Sequence, residues 1–327
     1  MLDNYNRKID YLRISITDRC NLRCVYCMPE YGIETVSHNE ILSYDEIIRV
    51  CKIAANMGIK KIKITGGEPL VRKNVPELVK NIKAIDGIEE VTLTTNGVLL
   101  GDVLDELVKY NIDGINISLD TLDENEYKKI TRFDVFSQVR ENIFKALQYP
   151  DLKVKINCVP IKNQKQNLIR IAQLAQENNI HIRFIEMMPV GYGKRYEYLS
   201  EESIISLLTE SEDLGELKPY DKTLGNGPCH YYQIDGFKGK IGFISALSHQ
   251  FCADCNRIRL TSQGFLKTCL QYETGTDIKE LLRNDSDDAV IKSAIQNAIL
   301  KKPKEHAFLT QNFNDTENQS GMNKIGG

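Results

Sequence analysis

The sequence predicts an α/β fold built around a parallel sheet. Short apolar runs rich in β-branched residues alternate with longer segments of helical periodicity along the first 190 residues. This alternation is typical of parallel βα units, and therefore of a barrel or a doubly wound open sheet. No strand-like run is followed by Gly-x-Gly-x-x-Gly, and no P-loop is present. The region up to Val190 is also shorter than the roughly 250 residues that a complete eight-stranded barrel usually needs.

Six strands and five helices are predicted in this region. The strands are 11–17, 61–65, 91–95, 114–119, 154–159 and 182–187. The first helix begins at Ser43, because Ser43 followed by Glu46 is a capping-box pattern, and it ends at Gly58. The other helices are predicted at 75–85, 103–110, 135–147 and 168–177.

Beyond residue 195 the pattern changes. Glycine and proline residues interrupt the more polar segment 192–220, in which a short helix is expected at 201–208. The runs 229–234 and 240–244 flank turn residues and predict a β-hairpin. We therefore expect two units, residues 1–195 and a smaller α+β unit at residues 196–327, with a polar, flexible stretch at 311–320.

Composition excludes several classes of protein. A net charge of −3 over 327 residues gives no support for a nucleic-acid or membrane partner. The apolar runs are far shorter than the roughly 20 residues of a membrane-spanning helix, and the N-terminus has no apolar signal core. A cytoplasmic protein is expected, in which the nine cysteines are metal ligands and buried thiols rather than disulfides.

The first cysteine motif follows the first predicted strand. Cys20, Cys24 and Cys27 have the spacing Cys-x3-Cys-x2-Cys. Thiolates at such short spacing favour zinc or an iron–sulfur cluster. Three ligands leave one metal position open, which indicates chemistry more than structure, although a structural zinc knuckle is the alternative.

A second set of three thiols lies near the C-terminus. Cys252, Cys255 and Cys269 have the spacing Cys-x2-Cys-x13-Cys, and His249 is a possible fourth ligand if the site holds zinc. Arg257 and Arg259 alternate in a predicted strand beside these cysteines and so project from one face. Paired guanidiniums next to an open metal position predict a pocket for an anionic ligand such as a phosphate.

The remaining features are weaker by themselves. Gly66-Gly67-Glu68-Pro69 follows the second strand, where two glycines permit close approach to bare backbone. Cys51 and Cys158 fall on apolar faces and are interpreted as core residues. Cys229 and His230 have no ligand-type spacing and are interpreted as structural.

The first motif, with Tyr26 just before its last cysteine, resembles the signature of the radical S-adenosylmethionine (radical SAM) superfamily. The second motif, Phe-Cys-x2-Cys-Asn-Arg-x-Arg-Leu-Thr at 251–261, and the terminal Gly-Gly resemble the members that act on GTP in molybdenum cofactor biosynthesis. This resemblance covers nearly the whole chain. It implies a partial, six-stranded (β/α) barrel followed by a unit that carries a second cluster.

The resemblance also implies cofactors and a reaction. Two [4Fe-4S] clusters are expected, one on each triad, and the open iron of the first would bind S-adenosylmethionine. The resulting 5'-deoxyadenosyl radical would take a hydrogen atom from C3' of GTP, and the ribose carbon would then close onto C8 of the guanine. The base would sit against the open iron of the second cluster.

The resemblance further implies site residues, matched by position. Contacts to S-adenosylmethionine are expected from Tyr26, Gly67, Ser118 and Met188. Catalytic roles are expected for Arg13, Gly326 and Gly327. GTP contacts are expected from Arg13, Lys61, Lys63, Thr94, Lys155, Arg183, Arg257 and Arg259, with Lys63 standing where an arginine is expected.

Expected partners are an electron donor such as flavodoxin or ferredoxin, the cyclic pyranopterin monophosphate synthase that acts downstream, and a second copy of the chain in a homodimer. Two alternatives stay open. One is a different radical SAM enzyme with an auxiliary cluster, such as one that modifies a peptide. The other is a non-catalytic module that uses both cysteine sets as zinc sites.

Overall fold

A computed structural model describes residues 1–34, 36–284, 286–308 and 321–326. Parallel pairing organises this structure, because the βα units of the first half lie side by side in one mixed sheet. The strands, in chain order, are β1 (Tyr11–Ser15), β2 (Lys61–Thr65), β3 (Glu90–Thr95), β4 (Gly114–Ser118), β5 (Lys153–Cys158), β6 (Ile180–Ile185), β7 (Lys218–Tyr220), β8 (His230–Gln233), β9 (Ile241–Ile244), β10 (Arg257–Leu260), β11 (Phe265–Lys267) and β12 (Gly275–Asp277).

The spatial order of the strands is β12-β11-β10-β1-β2-β3-β4-β5-β6-β9-β8-β7. Strands β1 to β6 are parallel neighbours in sequence order, which confirms the predicted α/β fold with six parallel strands. The C-terminal strands extend both edges of this sheet. Strand β9 pairs in parallel with β6, and β10 pairs in parallel with β1.

Helices connect the parallel strands and bury their apolar faces against the sheet. They are α1 (Tyr44–Ala55), α2 (Val75–Lys83), α3 (Leu100–Lys109), α4 (Glu124–Thr131), α5 (Phe136–Ala146), α6 (Leu168–Glu177), α7 (Glu201–Thr209), α8 (Lys279–Arg283), α9 (Asp288–Leu300) and α10 (Met322–Ile325). The capping box that begins α1 is present, since the Glu46 amide donates to the Ser43 hydroxyl at 3.1 Å.

Helix α4 was not predicted from the sequence. Its segment is mostly polar, so the apolar periodicity that marks the other helices is weak. The helix nevertheless begins at a clear cap, because Asp123 accepts a hydrogen bond from the Glu126 amide at 2.8 Å. It packs Tyr127 and Ile130 into the protein, beside the first cysteine loop.

The C-terminal residues form the predicted hairpin, in which β8 pairs antiparallel with β9. Strand β7 adds to β8, while β11 and β12 continue the other edge in antiparallel fashion. The unit boundary at residue 195 stays a prediction, because these strands belong to the same sheet as β1 to β6. In the described ranges, no helix has both the length and the apolar character needed to span a bilayer.

Candidate active site

A cavity of about 330 Å³ lies against the sheet, and the cysteines of both triads line it. All nine cysteines of the chain are free thiols. The cavity wall between the triads is made by side chains of β1 to β6 and β10 that point to the same face of the sheet. The residues that the sequence assigned to two separate motifs therefore share one site.

The triads lie at opposite ends of two neighbouring strands. Cys20 follows the carboxyl end of β1, whereas Cys255 precedes the amino end of β10, its parallel neighbour. Cys269 returns to the same end as Cys255 because β11 runs antiparallel to β10. A strand of four to five residues separates the two ends by about 13 to 17 Å.

The first cysteine loop packs directly on the Gly66-Gly67 segment after β2. The Gly67 amide donates to the carbonyl of Thr17 at 2.7 Å, and the Glu68 amide donates to the carbonyl of Arg19 at 2.8 Å. A Cβ atom at Gly67 would lie 2.4 Å from the Arg19 carbonyl oxygen. The close approach that these glycines permit is therefore to the chain's own backbone just before Cys20.

The thiols of the first triad are largely withdrawn from water. Burial raises the pKa of Cys20 to about 11, and burial together with the neighbouring acid Asp120 raises the pKa of Cys24 well above its usual value. Thiolates here need a positive partner, and iron or another metal cation supplies one. The donor set thus fits a metal centre.

The number of these donors fits a cluster. Three thiols are one ligand short of the four that a structural tetrahedral zinc ion takes. A [4Fe-4S] cube instead gives each cysteine its own iron and leaves one iron open, so a set of three cysteines fits it.

A buried lysine stands beside the second triad. The Lys302 ammonium donates to the carbonyl of Arg257 at 3.0 Å and also to the carbonyl of Thr268. Thr268 precedes Cys269, so this lysine joins the two segments that carry Cys255 and Cys269. Burial works to raise the pKa of Cys255, but the charges of Arg257 and Lys302 outweigh it and lower the pKa to about 6.

Between the triads lies a row of buried cations. Arg13 on β1 is in register with Lys63 on β2 and with Arg259 on β10. Further along the sheet, Lys155 on β5 and Arg183 on β6 face the same cavity. Lys63, Lys155, Arg183 and Arg259 are each less than a tenth exposed. Five strands of the sheet, β10, β1, β2, β5 and β6, thus contribute positive charge to one cavity.

Four of these five cations lack, among the described residues, the carboxylate partner that a buried charge usually has. Within the described part of the chain, no carboxylate lies within salt-bridge distance of Lys63, Lys155, Arg183 or Arg259. Burial, followed by repulsion from Arg183 and Arg13, lowers the pKa of Lys63 well below its usual value. Burial and the charge of Arg183 lower the pKa of Lys155 to about 8. Such a cluster is costly unless an anion binds it.

Two buried acids accept hydrogen bonds from residues that line the cavity near the first triad. Glu68 accepts hydrogen bonds from the Thr95 hydroxyl at 2.7 Å and the Asn96 amide at 2.6 Å, and burial raises its pKa to about 7. Asp120 accepts from the Tyr26 hydroxyl at 2.7 Å, and burial raises its pKa to about 6. Tyr26 is thus anchored at the cavity wall.

The four residues expected to contact S-adenosylmethionine all line the cavity. Tyr26 and Gly67 lie beside the first triad, and Ser118 is at the carboxyl end of β4. Met188 follows β6 and packs on the small apolar cluster of Val190, Leu247, Phe308 and Ile325. Thr94, expected to contact GTP, also lines the cavity.

The C-terminal helix α10 enters the same cavity. Ile325 is buried in the small apolar cluster, and Met322 lines the cavity wall. Gly326 has a left-handed backbone with φ of 78°, and its carbonyl accepts a hydrogen bond from Arg259 at 2.9 Å. Gly326 therefore reaches the row of cations, whereas Gly327 and the stretch 311–320 lie outside the described residues.

Some predicted residues are not brought to the cavity. Lys61 is at the amino end of β2, is partly exposed, and lies 3.8 Å from Asp10. Among the described residues that line the cavity, Lys61 does not occur. His249, considered as a zinc ligand, instead faces Glu201 and Glu202 at 3.6 and 3.4 Å.

The other three cysteines divide between core and cavity. Cys51 and Cys158 are fully buried, as predicted. Cys229, interpreted as structural, lines the cavity near Arg183 and Lys155. Its hairpin strand carries it there, which the spacing of cysteines in the sequence could not indicate.

Several site residues were missed from the sequence. They are Glu68 as a buried acceptor, Asn116, Asn157 and Lys302. Asn116 and Asn157 are polar residues within largely apolar strands, whereas Glu68 and Lys302 lie outside the strands and have no such pattern. The signal that was available is that a polar residue on the buried face of a strand must have a partner.

Comparison with protein families divides the chain in two overlapping parts. Residues 14–190 match the radical SAM superfamily. Residues 180–308 match the family described as Molybdenum Cofactor Synthesis C. The first match includes the first cysteine triad and the second includes the second triad.

Curated relatives are similar over the full length. The GTP 3',8-cyclase of Clostridium perfringens strain 13 is 44% identical over 329 residues, which covers all of both chains. Those of Syntrophomonas wolfei subsp. wolfei and Petrotoga mobilis are 44% and 42% identical, again with complete coverage of both chains.

Among solved structures, Streptococcus suis SuiB bound to S-adenosylmethionine is similar with a TM-score of 0.56. The match covers 92% of this chain and 71% of that chain at 16% identity, so it shows the fold alone. The superfamily match over residues 14–190 and the full-length relatives identify the chain as a member of the radical SAM superfamily and, within it, of the GTP 3',8-cyclase family.

Proposed function

We propose that this chain cyclises GTP to (8S)-3',8-cyclo-7,8-dihydroguanosine 5'-triphosphate by radical SAM chemistry, as the first step of molybdenum cofactor biosynthesis. The observation that carries the proposal is the group of buried cations between two cysteine triads, of which Lys63, Lys155, Arg183 and Arg259 have no carboxylate partner among the described residues. A nucleoside triphosphate supplies the missing negative charge. Family membership and the fit of both triads to clusters support the same conclusion.

The chain's residues fit the cofactors that this reaction needs. Cys20, Cys24 and Cys27 would hold one [4Fe-4S] cluster, and Cys252, Cys255 and Cys269 would hold the other. S-adenosylmethionine would lie against Tyr26, Gly67, Ser118 and Met188. When bound, the first cluster and S-adenosylmethionine supply a one-electron cleavage that yields an organic radical able to remove a hydrogen atom from the ribose.

The protein's own contribution begins with the triphosphate. Arg13, Lys63 and Arg259 form adjacent positive positions on three neighbouring strands, with Lys155 and Arg183 further along. An arginine fork binds two phosphate oxygens at once, whereas Lys63 acts as a point charge. Because these cations are already in place, little reorganisation is needed when GTP binds.

The protein also orients the nucleotide along the cavity. A base held toward the second triad and a ribose toward the first would span the strand length that separates them. Arg257 begins β10 beside Cys255, so its guanidinium can act near the base end, and Thr94 on β3 lines the same cavity. The sheet and Met322 of α10 line the cavity, and bound cofactor and substrate would displace water from the reacting atoms.

Gly326 contributes to the site in this proposal. The Arg259 guanidinium donates a hydrogen bond to the Gly326 carbonyl, which places this end of the chain beside the cations that would bind the triphosphate. We further propose an electron donor of the flavodoxin or ferredoxin class, a homodimer, and transfer of the product to the cyclic pyranopterin monophosphate synthase.

Anaerobic turnover of the reconstituted protein with GTP, S-adenosylmethionine and a strong reductant tests the proposal. We expect 5'-deoxyadenosine together with an isomer of GTP, both detected by mass spectrometry. With GTP deuterated at C3', the deuterium should appear in 5'-deoxyadenosine. Formation of 5'-deoxyadenosine with GTP recovered unchanged would show a radical enzyme with another substrate.

A further inference from the structure

Two asparagines hold the buried guanidinium of Arg183. The Arg183 Nη2 atom donates to Oδ1 of Asn116 at 2.6 Å and to Oδ1 of Asn157 at 2.5 Å. Asn116 lies on β4, Asn157 on β5 and Arg183 on β6. Both hydrogens of this one nitrogen are therefore used, and the guanidinium is held between two neighbouring strands.

The orientation of the Asn116 amide follows from its other contacts. Its Nδ2 atom donates to the carbonyl of Leu93 at 3.2 Å and lies 3.4 Å from the Thr94 hydroxyl. A backbone carbonyl can only accept a hydrogen bond, so the nitrogen must face Leu93 and the oxygen must face Arg183. The amide thus presents an acceptor, with no net charge, to the guanidinium.

A neutral acceptor is an unusual partner at this position. Buried arginines are commonly paired with carboxylates, which form stronger hydrogen bonds to a guanidinium. Aspartate has nearly the same shape as asparagine and could accept the same hydrogen bond from Arg183 at either position. It would, however, cancel the positive charge that faces the cavity. The Arg183 Nε atom is also buried without a hydrogen-bond partner among the described residues.

The charges around Arg183 also indicate that its positive charge is not neutralised by a neighbouring acid. Lys63 and Lys155 both experience its positive charge, which lowers their pKa values after burial has done so. Glu90 acts in the opposite direction and raises the pKa of both lysines, but within the described residues it forms no ion pair with either of them. Arg183 is 9% exposed, so solvent does little to screen it.

We infer that Asn116 and Asn157 are positioning residues that hold Arg183 as an uncompensated cation for the triphosphate of GTP. Their amides satisfy the hydrogen-bonding geometry of the guanidinium while leaving its charge for the ligand. This inference rests on the proposed function and assigns to it two residues that do not themselves need to touch the nucleotide.

Isosteric substitutions separate geometry from charge. Asn157→Asp keeps an acceptor at the same place but adds a negative charge, whereas Asn157→Ala removes one acceptor and adds none. Asn116→Asp also adds a charge, but it loses the hydrogen bond to the Leu93 carbonyl, so Asn157→Asp is the cleaner of the two charge variants. Arg183→Gln removes the cation itself. Asn111→Asp, on the exposed turn after α3, adds the same negative charge outside the cavity and is the matched control.

The dissociation constants of GTP and guanosine are measured by anaerobic calorimetry on the cluster-loaded protein without reductant. We expect both Asp variants and Arg183→Gln to weaken GTP binding at least tenfold, about 1.4 kcal/mol. Guanosine, which lacks phosphates, should bind within threefold of wild type. Asn157→Ala should lose less GTP affinity than Arg183→Gln, and Asn111→Asp should lose none.

Iron content and S-adenosylmethionine binding are measured on each variant to show that the site is intact. The inference is overturned if a loaded Asp variant binds GTP as wild type does, or if guanosine is weakened as much as GTP. If both Asp variants fail to load iron, Asn157→Ala decides: a loss equal to that of Arg183→Gln overturns the inference. Failure of the wild type to bind GTP would instead reject the proposed function.

Discussion

Replacing Gly67 with alanine tests how the first cysteine loop is supported. The sequence suggested that Gly66 and Gly67 leave bare backbone for a ligand. In the structure, Gly67 lies under the residues that lead into Cys20, and its amide donates to the Thr17 carbonyl at 2.7 Å. We therefore expect Gly67→Ala to displace the cysteine loop and to impair the first cluster selectively.

The size of the effect follows from the contacts of the added methyl group. It would lie 2.4 Å from the Arg19 carbonyl oxygen and 2.7 Å from that of Asp18, both of them backbone atoms that cannot rotate away. Overpacking of this kind costs about 1 to 3 kcal/mol. Because the clash is with backbone, we expect a cost near the upper end of this range. Relative to the wild type, this cost shifts the equilibrium toward the displaced loop by about 150-fold.

The assay is anaerobic reconstitution followed by iron analysis and electron paramagnetic resonance. Gly67→Ala should contain roughly half the iron of the wild type, because only the second triad would hold its [4Fe-4S] cluster. The signal that changes on addition of S-adenosylmethionine should be lost, and the other cluster signal should stay.

Gly227→Ala is the matched control. Gly227 lines the same cavity, but a Cβ atom there would meet no atom within 4 Å. This variant should load both clusters. A Gly67→Ala protein with full iron content and a normal response to S-adenosylmethionine would refute the packing argument and return the glycine to a ligand-binding role.

Three further predictions concern the cations and the chain end. Lys302→Met should lower the reduction potential and occupancy of the second cluster, because a positive charge beside it is lost, while Lys302→Arg should restore both in a redox titration. GTP binding should weaken as pH rises above about 8, because Lys155 has a pKa of about 8 and is charged only below it; Lys155→Arg should move this loss to higher pH in calorimetry. Deleting Gly326 and Gly327 should abolish turnover while both clusters keep their iron, and a fully active truncation would contradict this.

The parallel strands were the most predictable part of the fold. A strand covered on both faces needs a short, nearly continuous apolar run, and the connecting helices need apolar periodicity. The bounds of β2 and α6 agree with the prediction at both ends. Pairing between distant strands was not predictable, because nothing local in β9 or β10 shows that they join the outer edges of the β1 to β6 sheet.

The site was predictable where spacing carried the information. Cysteines with short separations in the sequence indicate a metal centre. Arg257 and Arg259 lie on the same face of their strand because strand residues alternate between faces. Alternation predicts the face of the sheet to which a side chain points, but not whether its position along the strand reaches the cavity. Lys61 and Lys63 therefore looked equivalent, although Lys61 lies at the amino end beside Asp10 and only Lys63 lines the cavity.

The two triads lie at opposite ends of neighbouring strands and therefore bound one cavity from two sides. Residues that follow β1 reach one edge of the sheet, and residues that precede its parallel neighbour β10 reach the other. The separation of the triads is thus set by strand length, about 13 to 17 Å for four to five residues. The cations at Arg13 and Arg259 occupy the middle of that span, so an elongated anion can meet both ends at once. A substrate too short to span the strands would reach only one triad and would leave the other triad without a ligand.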